Sequence, residues 1–258
     1  MLRPRITPCL LIHEGGLVKT TRFKDPKYVG DPINAVKIFN EKEADELIVL
    51  DIDATVHGVE PNFRLIAQFA AECRMPLCYG GGVRTAAQAK RIIGLGVEKV
   101  AISSAAIEDP KLVTAIADGV GRQSVVVVLD VKSKTFGGYE VYTHNGTRRT
   151  GKSPVELAAL MAEAGAGEIV VNSIDNDGVM KGYDLKLAKA IRDAVRVPLT
   201  VLGGAGSMSD IGKLLQTCGV IGASAGSLFV FKGTYRAVLI SYPPPEQRDE
   251  IIRSSLPG

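Results

Sequence analysis

Short apolar runs alternate with longer segments of helical period along most of the chain. Eight runs have the length and the Val and Ile content of buried strands, and they read ITPCLLI, ELIVLD, PLCY, KVAIS, VVVVLD, EIVVN, PLTVL and GVIGAS. These runs lack a clean alternation of apolar and polar residues, which is typical of strands covered on both faces of a parallel sheet. Between them, segments such as NFRLIAQFAAEC and DLKLAKAIRDAV have the period of amphipathic helices.

This alternation predicts the fold class α/β, in the form of a closed (β/α)₈ barrel. The chain has 258 residues, and one barrel domain over 1–258 accounts for all of them. An open doubly wound sheet is the alternative, but no G-x-G-x-x-G follows the first strand. The segment SKTFGGYEVYTHNGTRRT interrupts the pattern, and its alternating residues around Asn145-Gly146 predict a hairpin inserted after the fifth strand.

The two halves of the chain repeat each other. LIVLDIDATVHG, MPLCYGGGVRT and GVEKVAISSAA are followed, about 120 residues later, by IVVNSIDNDGVMKG, VPLTVLGGAGSMS and GVIGASAGSLF. Three matched motifs in the same order indicate a doubled half-barrel. In this register Leu11 is the counterpart of Asp130, so the carboxylate that ends the fifth strand has no equivalent at the end of the first.

Composition narrows the range of partners. The net charge is +3 and the charged residues are dispersed, which argues against nucleic acid or a membrane surface as a partner. No apolar run is long enough to span a membrane and no secretory signal pattern is present, so we expect a cytoplasmic protein. Small phosphorylated metabolites remain compatible with this charge.

Neither cofactors nor metals are expected. The cysteines have no C-x-x-C spacing, and we interpret them as reduced and buried thiols. They are Cys9, Cys73, Cys78 and Cys218. The histidines share no ligand spacing, and no nucleophile elbow is present. They are His13, His57 and His144.

Two glycine-rich segments, YGGGVRT and LGGAGSMS, each lie between a strand and a helix. Glycine lets an anion approach the backbone closely, and a helix N-terminus offers free N–H groups. Glycine also serves tight turns, but a symmetric pair favours two phosphate sites, which we name the first cup and the second cup. The first cup comprises Gly81, Gly82, Ser103 and Ser104, and the second comprises Gly203, Gly204, Ala225, Gly226 and Ser227.

Three carboxylates end predicted strands on the face where barrel enzymes carry their active sites. An aspartate there can be a general acid or base, or it can cap the following helix. For Asp130 we favour chemistry or substrate contact, whereas for Asp51 and Asp175 a structural role is at least as well supported. Lys19 lies in HEGGLVKTTRF, which we interpret as a flexible loop. It either closes over a phosphate or stays solvated.

Four charged residues of alternating sign stand at the starts of predicted strands, at the opposite end of the barrel. They are Arg5, Glu46, Lys99 and Glu168. Their alternation predicts an ion-paired ring, because buried charges are costly when unpaired. Charges paired only for solubility are the alternative.

These motifs resemble the HisF family, the cyclase subunit of imidazole glycerol phosphate synthase. The resemblance covers almost the whole chain and rests on RITPCL, GDP at 30–32, DELIVLDI, GGGVRT, EKVAIS, VVVVLDVK, GAGEIVVNSIDNDG, KGYD and GGAG. It implies a lyase that binds a ribonucleotide with two phosphates. It also implies a heterodimer with a HisH-like glutaminase, whose ammonia passes the ring of four charges, with Glu98 at the rim of the interface. The implied substrate contacts beyond the two cups are Lys19, Asn172, Asp177 and Gly178.

The sequence departs from the family at three positions of the site. Asp130 matches the second of the two catalytic carboxylates that the family carries, but Leu11 stands where the first belongs. Ser103 stands where the family usually has Asn, and Asn172 where it has Thr. Leucine cannot transfer a proton, and general acid–base catalysis typically contributes about 10²–10⁴-fold to a rate.

The departures favour a HisF-like paralogue of the kind that accompanies surface-polysaccharide gene clusters. Such a barrel would conduct ammonia to a third enzyme that makes an amidino sugar. Two alternatives remain at this point. One is an authentic cyclase–lyase of histidine biosynthesis with a substituted acid, and the other is a non-catalytic barrel that activates its glutaminase.

Overall fold

The computed structural model describes residues 3–256. The strands are β1 (Arg5–His13), β2 (Gly16–Thr21), β3 (Lys24–Gly30), β4 (Leu47–Asp51), β5 (Leu77–Gly80), β6 (Lys99–Ile102), β7 (Val125–Ser133), β8 (Tyr139–Thr143), β9 (Arg148–Arg149), β10 (Glu168–Ser173), β11 (Leu199–Leu202), β12 (Gly222–Ala225), β13 (Phe231–Lys232) and β14 (Ala237–Val238). The helices are α1 (Pro32–Glu41), α2 (Ala54–His57), α3 (Phe63–Glu72), α4 (Ala86–Gly94), α5 (Ser104–Glu108), α6 (Lys111–Val120), α7 (Pro154–Ala164), α8 (Leu185–Ala194), α9 (Met208–Cys218), α10 (Ser227–Val230) and α11 (Pro245–Ser255), and a 3₁₀ turn spans Arg122–Ser124.

Eight strands close into a parallel barrel, which confirms the predicted fold class. They pair in the order β1, β4, β5, β6, β7, β10, β11 and β12, and β12 pairs back with β1 in the register Arg5 to Gly222. Each of the eight apolar runs forms one of these strands. The carboxyl ends of parallel strands meet at one end of a barrel, so the loops that follow them surround a common mouth.

The core forms two layers because alternate residues of each strand face opposite sides of the sheet. On β1, Ile6 and Leu10 belong to the large cluster shared with the surrounding helices. Cys9 belongs to a smaller apolar cluster inside the barrel, and Leu11 packs against that cluster. Apolar side chains therefore occupy much of the barrel interior, and the buried Thr7 and Thr200 share the inward faces of their strands.

The half-barrel repeat extends to the helix caps. Thr85 and Gln88 form a capping box at the start of α4, and Ser207 and Asp210 form one at the start of α9. The two boxes occupy equivalent places, one after each glycine-rich segment, and they fix the first turn of each helix.

The insertion after the fifth barrel strand is present, but it has three strands rather than two. β7 continues beyond the barrel and pairs antiparallel with β8, and β8 pairs with β9. Asn145 and Gly146 have positive φ angles of 54° and 73° and connect β8 to β9. The predicted turn therefore belongs to the second connection of the insertion.

The interpretation of HEGGLVKTTRF as a flexible loop is wrong. This segment contains β2, which pairs antiparallel with both β1 and β3. The sequence of β3, KDPKYVG, is almost entirely exposed. No apolar pattern marks it, since backbone pairing rather than burial holds it in the sheet.

The cysteines are only in part as expected. Cys9 and Cys78 are buried, but Cys73 and Cys218 are half-buried, and all four are free thiols. Within residues 3–256, no helix has the length and apolar character needed to cross a membrane.

We expect Gly167→Ala to lower the free energy of unfolding by about 1–3 kcal/mol, the usual cost of overpacking. A Cβ atom at Gly167 would lie 2.1 Å from the Arg122 carbonyl oxygen, which is backbone and cannot turn aside. Gly94 is the matched control, because its Cβ would meet no heavy atom of the described chain within 4 Å. Gly94→Ala should be neutral or stabilising by up to about 1 kcal/mol. Urea unfolding measures both, and equal midpoints would contradict this packing.

Candidate functional site

A cavity of about 510 Å³ opens at the carboxyl end of the barrel strands. Nearly all the candidate residues on this face line it: Leu11, Lys19, Asp51, Gly81, Gly82, Ser103, Ser104, Asp130, Asn172, Asp177, Gly178, Gly203, Gly204, Ala225, Gly226 and Ser227. Asp175 does not. The fold therefore brings both cups and Asp130 into one site.

The glycines of the two cups are required by the backbone itself. Gly82 has a φ angle of 72°, and a Cβ atom there would lie 2.8 Å from the Val59 carbonyl oxygen. Gly203 has a φ angle of 92°, and its Cβ would lie 2.7 Å from the Ser173 carbonyl oxygen. Larger residues would strain both loops whether or not a ligand binds.

Capping boxes occupy part of the helix N-termini that follow the glycine-rich segments. At the starts of α4 and α9 they satisfy the N-cap and N3 backbone N–H groups, so fewer free N–H groups remain there. The uncapped starts belong to the short helices α5 and α10, which begin at Ser104 and Ser227. Ser103 and Gly226, the residues before them, make no side-chain cap. The Ser104 and Ser227 side chains line the cavity beside these amides.

Asp130 is the acid–base candidate of the cavity. Its side chain faces the cavity from deep inside the barrel and accepts a hydrogen bond from Asn172 Nδ2 at 3.2 Å. Burial raises the pKa of Asp130 to about 7, so the neutral and ionised forms are both populated near neutral pH. A carboxyl group with such a pKa can accept or donate a proton efficiently.

Leu11 lines the cavity on β1, at the position where the family resemblance implies a second acid. It is paired in register with Leu50 and packs with it against the apolar cluster inside the barrel. Asp51, the next carboxylate along β4, accepts hydrogen bonds from the backbone N–H groups of Asp53 and Ala54 at the start of α2. Asp51 is thus occupied as a hydrogen-bond acceptor for the backbone, and we do not assign it the role of an acid at the position of Leu11.

Lys19 is buried and is not a solvated lysine. Only 5% of its surface is exposed, and its Nζ donates to the Cys9 carbonyl oxygen at 2.5 Å. A Cβ atom at Gly226 would lie 2.6 Å from this Nζ, so the amino group sits directly against the second cup. Burial lowers the pKa of Lys19. A phosphate bound in the second cup would oppose that change by favouring the charged form.

Asp177 and Asp175 form hydrogen bonds that attach β2 and the insertion to the loop after β10. Asp177 Oδ2 accepts hydrogen bonds from the Thr20 hydroxyl at 2.7 Å and from the Phe23 N–H at 3.4 Å, which ties β2 to the loop after β10. Asp175 Oδ2 accepts from the Ser133 N–H at 2.8 Å and from its hydroxyl at 2.6 Å. Asp175 therefore anchors the insertion, which agrees with its structural alternative.

Two polar atoms that line the cavity have no hydrogen-bond partner in the described part of the chain. They are the Ser103 hydroxyl oxygen and the Asn172 Oδ1 oxygen. Both belong to positions at which the sequence departs from the family. A buried polar atom without a partner is costly, so a ligand or water that reaches these atoms would stabilise the site.

Sequence reasoning assigned no place in the cavity to several side chains of its wall, among them Arg84, Arg148, His57 and His144. Arg84 was visible within the motif GGGVRT, whereas Arg148 enters the site only through the strand pairing of the insertion. Among the residues described, no group of three or more His, Cys, Asp or Glu side chains is arranged to hold a metal ion.

The four charges at the amino ends of the strands form the predicted ring. Arg5 Nη1 pairs with Glu46 and its Nη2 lies 2.6 Å from Glu168 Oε1. Lys99 Nζ lies 2.6 Å from Glu46 Oε1 and 2.8 Å from Glu168 Oε2. Thr200 Oγ1 donates to Glu168 at 2.6 Å. Each charge thus contacts two charges of opposite sign, and Glu168 also accepts the hydrogen bond from Thr200.

Burial and pairing act against each other on the protonation of the ring. Burial opposes the charge on Lys99, but Glu168 and Glu46 outweigh it and raise the pKa of Lys99. Burial and repulsion from Glu168 raise the pKa of Glu46, against the attraction of Lys99 and Arg5. Glu98 lies beside the ring, where its Oε2 accepts the Leu77 N–H at 2.7 Å.

The chain resembles known proteins along nearly its full length. It matches the family described as "Histidine biosynthesis protein" over residues 5–236. It is 58% identical over 253 residues, 98% of this chain and 97% of the relative, to "Putative imidazole glycerol phosphate synthase subunit hisF3" of Vibrio vulnificus. It is 54% identical over 249 residues, 96% of this chain and 99% of the relative, to "Putative imidazole glycerol phosphate synthase subunit hisF2" of Pseudomonas aeruginosa.

A further relative has a lower identity. The chain is 41% identical over 231 residues, 90% of this chain and 91% of the relative, to "Imidazole glycerol phosphate synthase subunit HisF" of Hyphomonas neptunium. All three matches cover at least 90% of this chain.

We expect Asp130→Asn to stabilise the protein increasingly as the pH rises from about 4 to 8. The folded pKa of about 7 lies above the ordinary value of an aspartate, so the native state holds a proton that the unfolded chain releases in this range. Raising the pH therefore lowers the free energy of unfolding of the wild type, whereas the variant, which has no carboxyl group at this position, does not lose this stability. At about 1.4 kcal/mol per pKa unit, the gain above pH 7 is on the order of 1–4 kcal/mol. Urea unfolding of both proteins at several pH values measures it, and a pH-independent difference would contradict the raised pKa.

Proposed function

The chain belongs to the histidine biosynthesis protein family, and from that premise we propose that it is the HisF-like synthase subunit of a glutamine amidotransferase complex. In this complex a HisH-like glutaminase docks at the charged ring. Ammonia released by glutamine hydrolysis then passes through the barrel to the cavity. The complex would act in the cytoplasm.

One observation supports the proposal most directly. Along the barrel axis, the charged ring is followed by the apolar cluster and then by the cavity. The ring is fully paired at the amino ends of the strands. Above it lies the apolar cluster inside the barrel, which includes Cys9, Val128 and Leu202. The cavity that opens above is lined by some of the same residues.

An apolar interior favours ammonia over ammonium. Transfer of an ion from water into an apolar environment costs far more than transfer of a small neutral molecule. The ring would meet the incoming molecule first, and its own charges are already neutralised by each other. A molecule that enters the barrel as neutral ammonia would therefore reach the cavity without binding tightly on the way.

The absence of a carboxyl group at position 11 supports delivery of this ammonia to another enzyme. With Leu11 in place of one acid, the cavity keeps Asp130 but lacks the second proton-transfer group on β1. A route that remains intact while cyclisation chemistry is impaired fits a subunit that supplies a third enzyme. On the resemblance to paralogues of surface-polysaccharide clusters, we propose that this acceptor makes an amidino sugar.

A second candidate is an authentic cyclase–lyase subunit of histidine biosynthesis. It is favoured by Asp130, whose pKa of about 7 suits acid–base catalysis, and by the presence of both phosphate cups. The phosphorylated ligand would then be a ribonucleotide with two phosphates, as the family resemblance implies.

A cyclase assay separates the two candidates. With the ribonucleotide and saturating ammonium salt, which bypasses the glutaminase, we expect turnover at least about 10²-fold below that of a relative with both acids. Leu11→Asp alone should not restore it fully, because Ser103 and Asn172 also differ from the family. Turnover equal to that of the relative would promote the histidine-biosynthesis candidate.

Co-expression with the HisH-like glutaminase tests the proposed partner. We expect a heterodimer on size-exclusion chromatography at micromolar concentration, with a buried area of about 1,200–2,000 Å². Lys99→Ala should change the coupling between glutamine hydrolysis and acceptor amination, since it leaves Glu46 and Glu168 less neutralised.

Lys189→Ala is the matched control for that variant. Lys189 pairs with Asp193 on the exposed surface of α8, away from the ring. It should leave both the complex and the coupling unchanged. The absence of a complex for the wild type, with or without the acceptor enzyme, would refute the proposed ammonia transfer.

A further inference from the structure

Large exposed apolar side chains are concentrated at one end of the barrel. Within residues 3–256, most of them belong to segments that follow the carboxyl end of a barrel strand, and the others are Leu160 on α7 and Val220 before β12. Those at the carboxyl end are Tyr28, Val56, Val59, Phe136, Tyr235, Val238 and Leu239. Exposed apolar surface that gathers on one face marks an interaction site.

All of these residues except Phe136 follow three consecutive barrel strands. β12, β1 and β4 are neighbours in the barrel, and the exposed residues lie in the segments after them. We name this set the apolar arc: Tyr28, Val56, Val59, Tyr235, Val238 and Leu239. Val56 also lines the cavity, so the arc reaches the mouth of the barrel.

The two hairpins that carry most of the arc are in direct contact. Lys27 Nζ of β3 lies 5.1 Å from the centre of the Phe231 ring of β13, and the guanidinium carbon of Arg236 lies 4.7 Å from the same centre. Arg236 Nη2 also donates to the Gly178 carbonyl oxygen at 3.1 Å, and Gly178 lines the cavity. The β2–β3 and β13–β14 hairpins therefore adjoin each other beside the mouth.

The fold itself gains little from the apolar side chains of the β13–β14 hairpin. Tyr235, in the turn of this hairpin, is 95% exposed, and Val238 and Leu239 are exposed as well. The family match ends at residue 236, so β14 lies beyond the matched region. Apolar surface stabilises a protein only when it is removed from water, and here a partner would have to cover it.

The charges on these hairpins determine which kind of surface they attract. β3 and the β13–β14 hairpin carry the cations Lys24, Lys27, Lys232 and Arg236, against the carboxylate of Asp25. Within residues 3–256, none of these cations forms an ion pair. A second copy of this chain would bring like charges together, whereas an acidic surface would complement them.

A covered mouth suits the transfer of ammonia. A partner that closes a cavity excludes water and prevents the loss of a reactive species. Tyrosine and arginine are also enriched in the cores of protein–protein interfaces. We infer that the apolar arc is the docking surface for the acceptor enzyme of the proposed complex, which presents an acidic rim to Lys27 and Lys232 and covers the mouth. This inference rests on the proposed function and adds to it the face on which the acceptor binds.

Binding of the recombinant enzyme that forms the amidino sugar, measured on the barrel in complex with its glutaminase, tests the inference. We expect Tyr235→Ala to weaken this binding at least about tenfold, as loss of an interface aromatic does. Lys232→Glu should weaken it as well, and less at high salt, because the effect is electrostatic. Both side chains are exposed, so both variants should fold and keep the glutaminase bound.

Leu160→Ala and Lys90→Glu are the matched controls. They change an exposed apolar side chain of α7 and an exposed lysine of α4, and both positions lie outside the apolar arc. Both controls should bind the acceptor enzyme as tightly as the wild type. A loss of affinity in the controls equal to that in Tyr235→Ala and Lys232→Glu would overturn the inference.

Ammonia transfer separates this inference from the proposed function. With glutamine as the nitrogen source and limiting acceptor enzyme, Tyr235→Ala should lower acceptor amination at least about tenfold. With saturating ammonium salt, which needs no docking, amination should equal that of the wild type. Transfer by the wild type with equal transfer by Tyr235→Ala would overturn the docking surface alone. Absence of transfer by the wild type would overturn the proposed function and this inference with it.

Two further measurements address other occupants of the apolar arc. They are co-sedimentation of the barrel with vesicles of phosphatidylcholine and phosphatidylglycerol, and sedimentation velocity of the barrel alone. We expect neither vesicle binding nor a dimer at micromolar concentration. Vesicle binding or a dimer that Tyr235→Ala abolishes would assign the arc to a membrane surface or to a second copy, and would overturn the inference.

Discussion

The two-residue period of the barrel strands sets the order of chemistry along the barrel axis. On β6 the inward residues are Lys99 and then Ala101, and Ser103 follows where the strand ends. β10 repeats this order with Glu168, Val170 and Asn172, whereas on β1 the buried Thr7 lies between Arg5 and the apolar Cys9. Because the register is fixed by strand pairing, a change at one level leaves the other levels in place. This separation explains how the ring and the interior can remain intact while Leu11 alters the cavity.

The ring constrains the sequence more strongly than the cavity does. Glu46 and Glu168 are almost fully buried, and each is neutralised by Arg5 and Lys99. Removal of one partner from a buried set leaves a charge uncompensated, which typically costs about 3–5 kcal/mol. Leucine at position 11 carries no such cost, since it packs with Leu50 against apolar neighbours. The structure therefore tolerates loss of the acid far better than loss of a ring member.

The sequence predicts the barrel because its eight strands are buried on both faces and so appear as continuous apolar runs. β3 could not be found in this way, since exposed residues form it and pairing with β2 alone holds it. The burial of Lys19 follows from that pairing and was not predictable from a loop of mixed composition. The capping boxes, by contrast, are legible as T-x-x-Q and S-x-x-D in the sequence. They indicate that the N-cap and N3 backbone N–H groups of α4 and α9 are satisfied at the helix start itself.

The repeat of the two halves gives symmetric loops but not a symmetric site. Arg84 and Gly206 occupy equivalent positions of the two halves, and so do Asp130 and Leu11. A ligand with unlike ends would therefore bind in one orientation, and the same ligand atoms would always lie nearest the strand of the one remaining acid. Of these two equivalent positions only the one on β7 carries a carboxyl group, and Asn172 donates the hydrogen bond that positions it. Chemistry that needs an acid and a base on opposite faces of a ligand would therefore require a second group besides Asp130, whereas binding and passage of a neutral molecule would not.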